Sequence, residues 1–283
     1  MPRRSTFALA LSFSATLLCG CGGATESPRP APVATAGMDK KHQIEAVKAD
    51  CMKERGFKYV AWVQPKEKTE EERSRASGNY QAMRKYRQKY GFGIWSIPVY
   101  REEMNRLAGV PEPGSDPNMQ VALNLSPTQQ EAWTKARDTC TSEAVTQVLG
   151  LTVKSHGDLI QQMLAARKRA MTAELDGDPE LRELTAAMSD CLRSKGYAVS
   201  DTAPTALAGR GGDVFDLQRV EINKKQHVEA FVEFTPQQAR PYLNREIKAA
   251  LDDLECGKDF YAAYMARESA IENRISDQFA FRP

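Results

Sequence analysis

The sequence has little of what most catalytic and metal sites are built from. Its 283 residues include three histidines, His42, His156 and His227, and no two of them stand in an H-x-x-x-H arrangement. No C-x-x-C pair occurs among its six cysteines, so the signatures of zinc ribbons and thioredoxin-type redox sites are absent. It also contains no G-x-S-x-G, no Gly-rich nucleotide loop and no kinase signature. These absences predict no cofactor and no metal, and they weaken the case for an enzyme.

Long apolar runs are also scarce. Residues 7–18 form an apolar run that is too short to cross a bilayer, which needs about 20 residues. The run follows Arg3 and Arg4 and ends in L18-C-G-C21. A basic start, an apolar run and small residues before a cysteine predict a lipoprotein signal peptide over residues 1–20, with a diacylglyceryl group on the sulfur of Cys21. An ordinary secretory signal is the alternative.

An excess of one charge is missing as well. The chain has 39 Lys and Arg residues against 37 Asp and Glu residues, and Arg3 and Arg4 lie in the expected signal. The mature chain would then carry 37 of each and a formal net charge of zero. A balanced chain gives no reason to expect a nucleic-acid partner.

What the chain does contain is a helical pattern. Residues 21–38 are rich in Ala, Pro and Gly and predict the lipid anchor followed by a flexible tether. Beyond them, apolar residues recur at steps of three and four, which predicts an all-α fold, a helical bundle. The glycine-rich residues 200–213 predict a loop, and residues 214–232 alternate partly like a strand although their neighbours favour a helix. A break at Pro241 is expected in the last helical run.

One segment occurs twice. D50-C-M-K-E-R-G-F57 and D190-C-L-R-S-K-G-Y197 share Asp, Cys and Gly and differ conservatively elsewhere. Each is followed by a helix that starts with L-S-P-T-Q-Q or F-T-P-Q-Q and carries a second cysteine. An internal duplication explains the pattern most economically. It predicts two related helical halves, residues 39–150 and 151–283, packed together into one bundle.

The duplication also bears on the cysteines. An exported chain meets an oxidising compartment, in which cysteines form bridges. Four cysteines allow three connectivities, and the repeat favours one bridge in each half, Cys51–Cys140 and Cys191–Cys256. A thiolate nucleophile or a metal site is the alternative, but nothing in the sequence places a base or further ligands beside a particular thiol.

Tyr90, Phe92 and Trp95 lie close together in a segment with two glycines and form a possible binding surface. They could stack on a sugar or a peptide. The alternative is a hydrophobic plug where the chain turns over a helix pair, because large aromatic side chains are mostly buried.

A group of acidic residues lies near the expected glycine-rich loop: Asp201, Asp213, Asp216 and Glu221. Their spacing matches no calcium-binding loop, so a mobile solvated loop is the favoured interpretation.

Several segments resemble those of a known group. C51-M-K-E-R-G-F57, Y90-G-F-G-I94, L125-S-P-T-Q-Q-E-A-W133 and the segment from Asp178 to Tyr197 are similar to segments of actinobacterial (Streptomyces-type) surface lipoproteins. The likeness covers most of the chain after the expected signal and rests on short structural motifs. It implies a helical protein on the outer face of the plasma membrane, and it carries over no catalytic residue.

These observations predict a lipid-anchored extracytoplasmic protein, most simply a non-catalytic binding or scaffold component of the cell envelope. Its partner would be an envelope protein or a wall polymer. The alternatives are a wall-polymer hydrolase using carboxylates and a ligand receptor for an importer. A polar cleft with two carboxylates about 5–9 Å apart would favour the hydrolase. An exposed aromatic patch around Trp95 would favour the binding module.

Overall fold

The computed structural model describes residues 34–65, 68–225 and 234–281. Every regular element in these ranges is a helix and none is a strand, which confirms the all-α fold. None of the described helices combines the length and the apolar character needed to cross a membrane. The helices are α1 (Ala34–Glu54), α2 (Glu70–Ala76), α3 (Tyr80–Tyr90), α4 (Ser96–Val99), α5 (Arg101–Ala108), α6 (Pro117–Leu123), α7 (Pro127–Leu149), α8 (His156–Leu175), α9 (Pro179–Ser194), α10 (Pro204–Lys225), α11 (Pro236–Cys256) and α12 (Lys258–Gln278).

Two long helices begin at the motif that the sequence repeats. The side chain of Ser126 accepts a hydrogen bond from the backbone N–H of Gln129, whose side chain accepts one from the N–H of Ser126, and Pro127 is the first residue of α7. Thr235 and Gln238 form the same capping box at the start of α11. The motif satisfies N–H groups that the first turn of a helix leaves without a partner.

The main apolar core is built around α12. Its buried face, which includes Phe260, packs against α8 and α9, whose contribution includes Leu175. A second cluster joins α1 to α7 around Met52 and Trp133. A third joins α4 to α11 around Trp95. The long C-terminal helices are therefore the centre of the molecule.

Both predicted disulfide bridges are present. Cys51 in α1 is bonded to Cys140 in α7, with Cα atoms 5.6 Å apart. Cys191 in α9 is bonded to Cys256 at the end of α11, with Cα atoms 5.5 Å apart. The bridges span 89 and 65 residues of sequence. In the chain-entropy account, closing loops of this size stabilises by at most about 4–5 kcal/mol each.

The described residues of the two expected halves belong to one compact unit. Helices α3 and α4 of the first half pack against α11 of the second, and α1 contacts α12. Helix α1 begins at Ala34, inside the stretch 21–38 that was expected to be a tether. The duplication itself stays a prediction.

The expected loop over residues 200–213 is wrong from residue 204 onward. Pro204 begins α10, which continues to Lys225. The ambiguous residues 214–232 are therefore helical as far as residue 225, and residues 226–232 lie outside the described ranges.

The expected helix break at Pro241 is also wrong. Helix α11 runs through Pro241 without interruption. Pro241 and Gln237 are both exposed, so water can bind the carbonyl that the proline leaves without a donor. The helical run divides instead at Gly257, where a Cβ atom would lie 2.8 Å from the sulfur of Met188 in α9.

Candidate functional site

A cleft of about 790 Å³ lies between the α2–α3 segment, α8, α10 and α12. Small-molecule sites typically have volumes of about 300–1,000 Å³. Apolar and aromatic side chains dominate the lining: Met83, Tyr86, Phe92, Leu107, Leu164, Met171, Tyr261, Tyr264 and Met265. Charged side chains of both signs complete it: Lys68, Glu72, Arg75, Arg87, Arg167, Lys168, Glu268 and Glu272. The lining thus combines apolar surface with eight charged side chains, more than the small number of polar groups that a ligand pocket usually has.

A buried ion pair fixes the walls of the cleft. Arg87 of α3 donates to Oδ1 of Asp253 at 2.7 Å and to the carbonyl oxygen of Ala250 at 2.9 Å. The hydroxyl of Tyr261 donates to the same carboxylate oxygen at 2.6 Å, and Arg210 of α10 donates to the other at 3.3 Å. Asp253 is completely buried. Because groups from α3, α10 and α12 converge on it, the network holds these helices in one arrangement.

Phe92 forms one wall of the cleft by lying against α10. A Cβ atom on Gly211 would be 2.1 Å from the ring carbon Cζ of Phe92. Phe215, one turn further along α10, meets the same ring with centroids 6.0 Å apart. Gly209 and Gly212 line the cleft without a side chain. A glycine inside a helix lowers its stability by about 1 kcal/mol relative to alanine. In α10 the ring of Phe92 fills the space beside Gly211, and the space beside Gly209 and Gly212 belongs to the cleft.

The backbone that carries Phe92 is held by Glu246 of α11. Its Oε1 accepts from the N–H groups of Phe92 and Ile94 at 2.8 and 2.9 Å, and its Oε2 accepts from the N–H of Trp95 at 2.7 Å. Burial raises the pKa of Glu246 above its ordinary value, and these N–H donors oppose the rise. A Cβ atom on Gly91 would lie 2.7 Å from Cγ of Glu246, so the close approach requires a glycine.

The α8–α12 wall has one cation shared by two carboxylates. Arg167 of α8 pairs with Glu272 and lies 3.9 Å from Oε1 of Glu268, one helical turn away on α12. Burial and the negative charge of Glu272 raise the pKa of Glu268 to about 7, against the effect of Arg167. The raised pKa keeps part of Glu268 protonated near neutral pH, and a protonated carboxyl has an O–H group that can donate a hydrogen bond.

Guanidinium groups lie over aromatic rings of the cleft. The Cζ atom of Arg75 is 4.0 Å from the ring centroid of Tyr86. The Cζ atom of Arg87 is 4.5 Å from the centroid of Tyr261 and 5.3 Å from that of Phe92. Each such contact stabilises by about 0.5–2 kcal/mol. Three aromatic rings of the cleft thus already have a cation over them.

Of the three aromatic residues predicted as a possible binding surface, Phe92 alone lines the cleft. Trp95 is fully buried and stacks on Tyr242 with ring centroids 4.3 Å apart. Tyr90 is half-buried and does not line the cleft. The exposed-platform hypothesis is therefore wrong for Trp95, which forms the buried plug of the alternative, because Glu246 draws its backbone onto α11.

The acidic residues near α10 do not form a site. Asp216 and Glu221 each pair with a basic residue three positions further along the same helix, Arg219 and Lys224. Asp201 accepts the backbone N–H of Ala203. Within the described ranges, no three His, Cys, Asp or Glu side chains meet in a way that could hold a metal ion. Cys21 and His227 lie outside those ranges.

Sequence reasoning missed the carboxylates behind the cleft. Five residues recur on one buried face of α11 at alternating steps of four and three: Ala239, Leu243, Glu246, Ala250 and Asp253. Two acids in such an apolar stripe are a usable signal, because a buried carboxylate needs partners. Tyr261 is eight residues from Asp253, but the other partners lie in α3, in the segment after it and in α10, so the pattern alone could not identify them.

The chain matches no protein-family model, no curated protein and no solved structure. The resemblance to surface lipoproteins stays a prediction, and a function has to be inferred from the cleft itself.

Proposed function

We propose that this protein is a lipid-anchored binding protein of the cell envelope that holds a small ligand in the cleft between the α2–α3 segment, α8, α10 and α12. The observation that carries the proposal is the cleft of about 790 Å³, which combines an apolar lining with charged groups. Its walls are tied together through Asp253 and Glu246, both wholly buried. A pre-formed site loses little free energy to ordering when a ligand binds.

The anchoring part of the proposal rests on the sequence. Arg3, Arg4, the apolar run 7–18 and the cysteine at position 21 have the order of a lipoprotein signal. The two disulfide bridges fit an oxidising compartment. Two acyl chains on one cysteine would anchor the protein stably, whereas one chain binds a membrane only marginally.

A hydrolase is the second candidate, because the raised pKa of Glu268, about 7, suits a general acid. Glu268 and Glu272 nevertheless stand on successive turns of one helix and share Arg167. The two carboxylates of a glycosidase flank the bond that is cleaved. Two groups on one helix approach a substrate from the same side, so the geometry favours binding.

Anchoring is tested with the variant Cys21→Ala. The unchanged protein is expected in the membrane fraction, with an N-terminal peptide whose mass includes a diacylglyceryl group on Cys21. The variant is expected in the soluble fraction. An unmodified Cys21 in the protein extracted from membranes would contradict the proposal.

Binding in the cleft is tested by filling it. Gly212 lines the cleft, and a Cβ atom there would meet nothing within 4 Å, so Gly212→Trp places an indole in the site without a backbone clash. The probe is N-phenyl-1-naphthylamine, a neutral dye that brightens in apolar pockets. The full-length chain carries Cys21→Ala throughout, so that no detergent competes for the dye.

Gly212→Trp is expected to weaken dye binding at least about ten-fold, a loss of about 1.4 kcal/mol. Leu217→Trp is the matched control, because Leu217 is on the same helix, 63% exposed and outside the cleft. It should bind the dye as the parent chain does. Equal dye affinity in all three proteins would show that the cleft is not a binding site.

A further inference from the structure

The lining of the cleft also defines a class of ligand, an inference that rests on the proposed function. One wall has few side chains, because Phe92 lies against α10 and Gly209 and Gly212 present bare backbone. Methionine side chains, which are flexible and polarisable, adapt to the shape of an apolar partner. Three of them face the cleft: Met83, Met171 and Met265. An aromatic or aliphatic body fits this surface.

A cationic ligand does not fit the rings of the cleft. Sites for quaternary ammonium groups use open aromatic faces. Here Arg75 lies over Tyr86, and Arg87 lies over Tyr261. A ligand cation at these rings would meet a guanidinium group at close range, and like charges there repel.

Positive charge is in excess in the lining. Lys68, Arg75 and Lys168 line the cleft and form no ion pair with any residue that the structure describes. Arg87 is neutralised by Asp253 behind the cleft. The carboxylates already have partners: Glu72 accepts a backbone N–H in the capping box of α2, and Glu268 and Glu272 share Arg167.

We infer that the cleft binds a small amphipathic anion, with its apolar body against Phe92 and the methionines and its carboxylate, sulfonate or phosphate group beside Arg75, Lys68 and Lys168. The cleft volume of about 790 Å³ suits one drug-sized molecule. The acidic group of the ligand pairs with these three cations, which have no ion-pair partner among the described residues.

The test compares two dyes with the same ring skeleton. 8-Anilinonaphthalene-1-sulfonate carries a sulfonate, and N-phenyl-1-naphthylamine lacks it. Dissociation constants are measured by fluorescence titration of the full-length Cys21→Ala chain. The sulfonate dye is expected to bind at least about ten-fold more tightly at low salt, and its advantage should shrink as salt screens the cations.

Arg75→Gln separates charge from shape. It should weaken binding of the sulfonate dye about five- to ten-fold and affect the neutral dye far less, because only the sulfonate loses an ion pair. Arg84→Gln is the matched control, since Arg84 is an exposed arginine of α3 that does not line the cleft. Both dyes should bind the control variant as they bind the parent chain.

The remaining outcomes of these titrations would contradict either the anion inference or the proposed function. Equal affinity for the two dyes, or an equal loss of both in Arg75→Gln, overturns the anion inference while binding in the cleft stands. If Gly212→Trp leaves the affinity for both dyes unchanged, the dyes bind elsewhere and the proposed function fails together with the inference.

Discussion

Single residues determine the shape of the cleft more than whole elements do. Glu246 holds the segment from Phe92 to Trp95 through three backbone N–H groups, in place of the hydrogen bonds that regular structure would supply. The sequence shows Glu246 as an acid in an apolar stripe, which is enough to expect a buried partner. It cannot show that the partner is a backbone segment, because every non-proline residue has an N–H. The burial of Trp95 could be expected from the sequence, because large aromatic side chains are mostly buried, but the Glu246 contact that holds its backbone could not.

The clearest prediction for a single residue concerns Glu268. Its pKa is raised to about 7 in the folded protein from an ordinary value of 4.5, so the folded state binds more protons between these two pH values. The free energy of unfolding must therefore fall as pH rises through this window. Glu268→Gln keeps the shape of the side chain and cannot ionise. At pH 8 it should be more stable than the unchanged protein by about 2 kcal/mol, and at pH 5 nearly equal to it.

Urea denaturation at the two pH values measures this difference. Glu174→Gln is the control, because Glu174 is an exposed carboxylate paired with Arg274. It should show no gain in stability at pH 8. A Glu268→Gln protein that is less stable than the parent at pH 8 would mean that the ionised carboxylate, through Arg167, is the favourable form.

At the scale of elements, α10 gives two neighbouring glycines opposite roles. Replacing a helical glycine by alanine normally stabilises by about 0.5–1 kcal/mol. Gly212→Ala should follow this rule, since its Cβ would meet nothing within 4 Å. Gly211→Ala should destabilise by about 1–3 kcal/mol, because its Cβ would be 2.1 Å from the ring of Phe92.

Thermal and urea unfolding of the two variants and of the unchanged protein show whether each substitution raises or lowers the free energy of unfolding. The pair controls for composition and position, since the two substitutions are identical and adjacent. Two stabilised variants would contradict the packing of Phe92 on α10. Two destabilised variants would mean that the local helix itself depends on glycine.

A comparison of α10 with α7 and α11 shows which helices the sequence can predict. The starts of α7 and α11 were predictable because Ser126, Thr235 and their glutamines act within four residues. Helix α10 was not, because its glycines favour a loop by local propensity and are outweighed by a ring from the segment after α3. Local sequence signals predict where helices begin and end. Helices that form against their local propensity depend on packing with distant segments, which the sequence does not show.

At the scale of the whole molecule, the two bridges stabilise one unit. Removing either pair, Cys51→Ala with Cys140→Ala or Cys191→Ala with Cys256→Ala, should lower the free energy of unfolding by about 2–4 kcal/mol. Because α3 and α4 pack against α11, each removal should shift the same transition. Circular dichroism during thermal unfolding checks this. Two transitions, of which one moves, would show that the halves unfold independently.

The sequence repeat was sufficient to pair the four cysteines, since it placed them in equivalent positions of two halves. It gave no sign that α3 and α4 pack on a helix of the other half. That contact, and with it the cleft, depends on the Arg87–Asp253 ion pair and on the backbone N–H groups that Glu246 accepts, whose partners are more than 150 residues apart in the sequence.

The connectivity of the bridges also determines what a protease can do to the chain. The exposed loop between α5 and α6 lies inside the ring closed by Cys51–Cys140, and the segment between α9 and α10 lies inside the ring closed by Cys191–Cys256. After a single cut at either place, the disulfide bridge still joins the two fragments. They would separate on a gel only when the bridge is reduced. Cleavage between Cys140 and Cys191, for example in residues 150–155 before α8, divides the molecule into two pieces that each keep a bridge. A single cut in that stretch therefore separates the two bridged parts of the chain, whereas a single cut inside either ring does not.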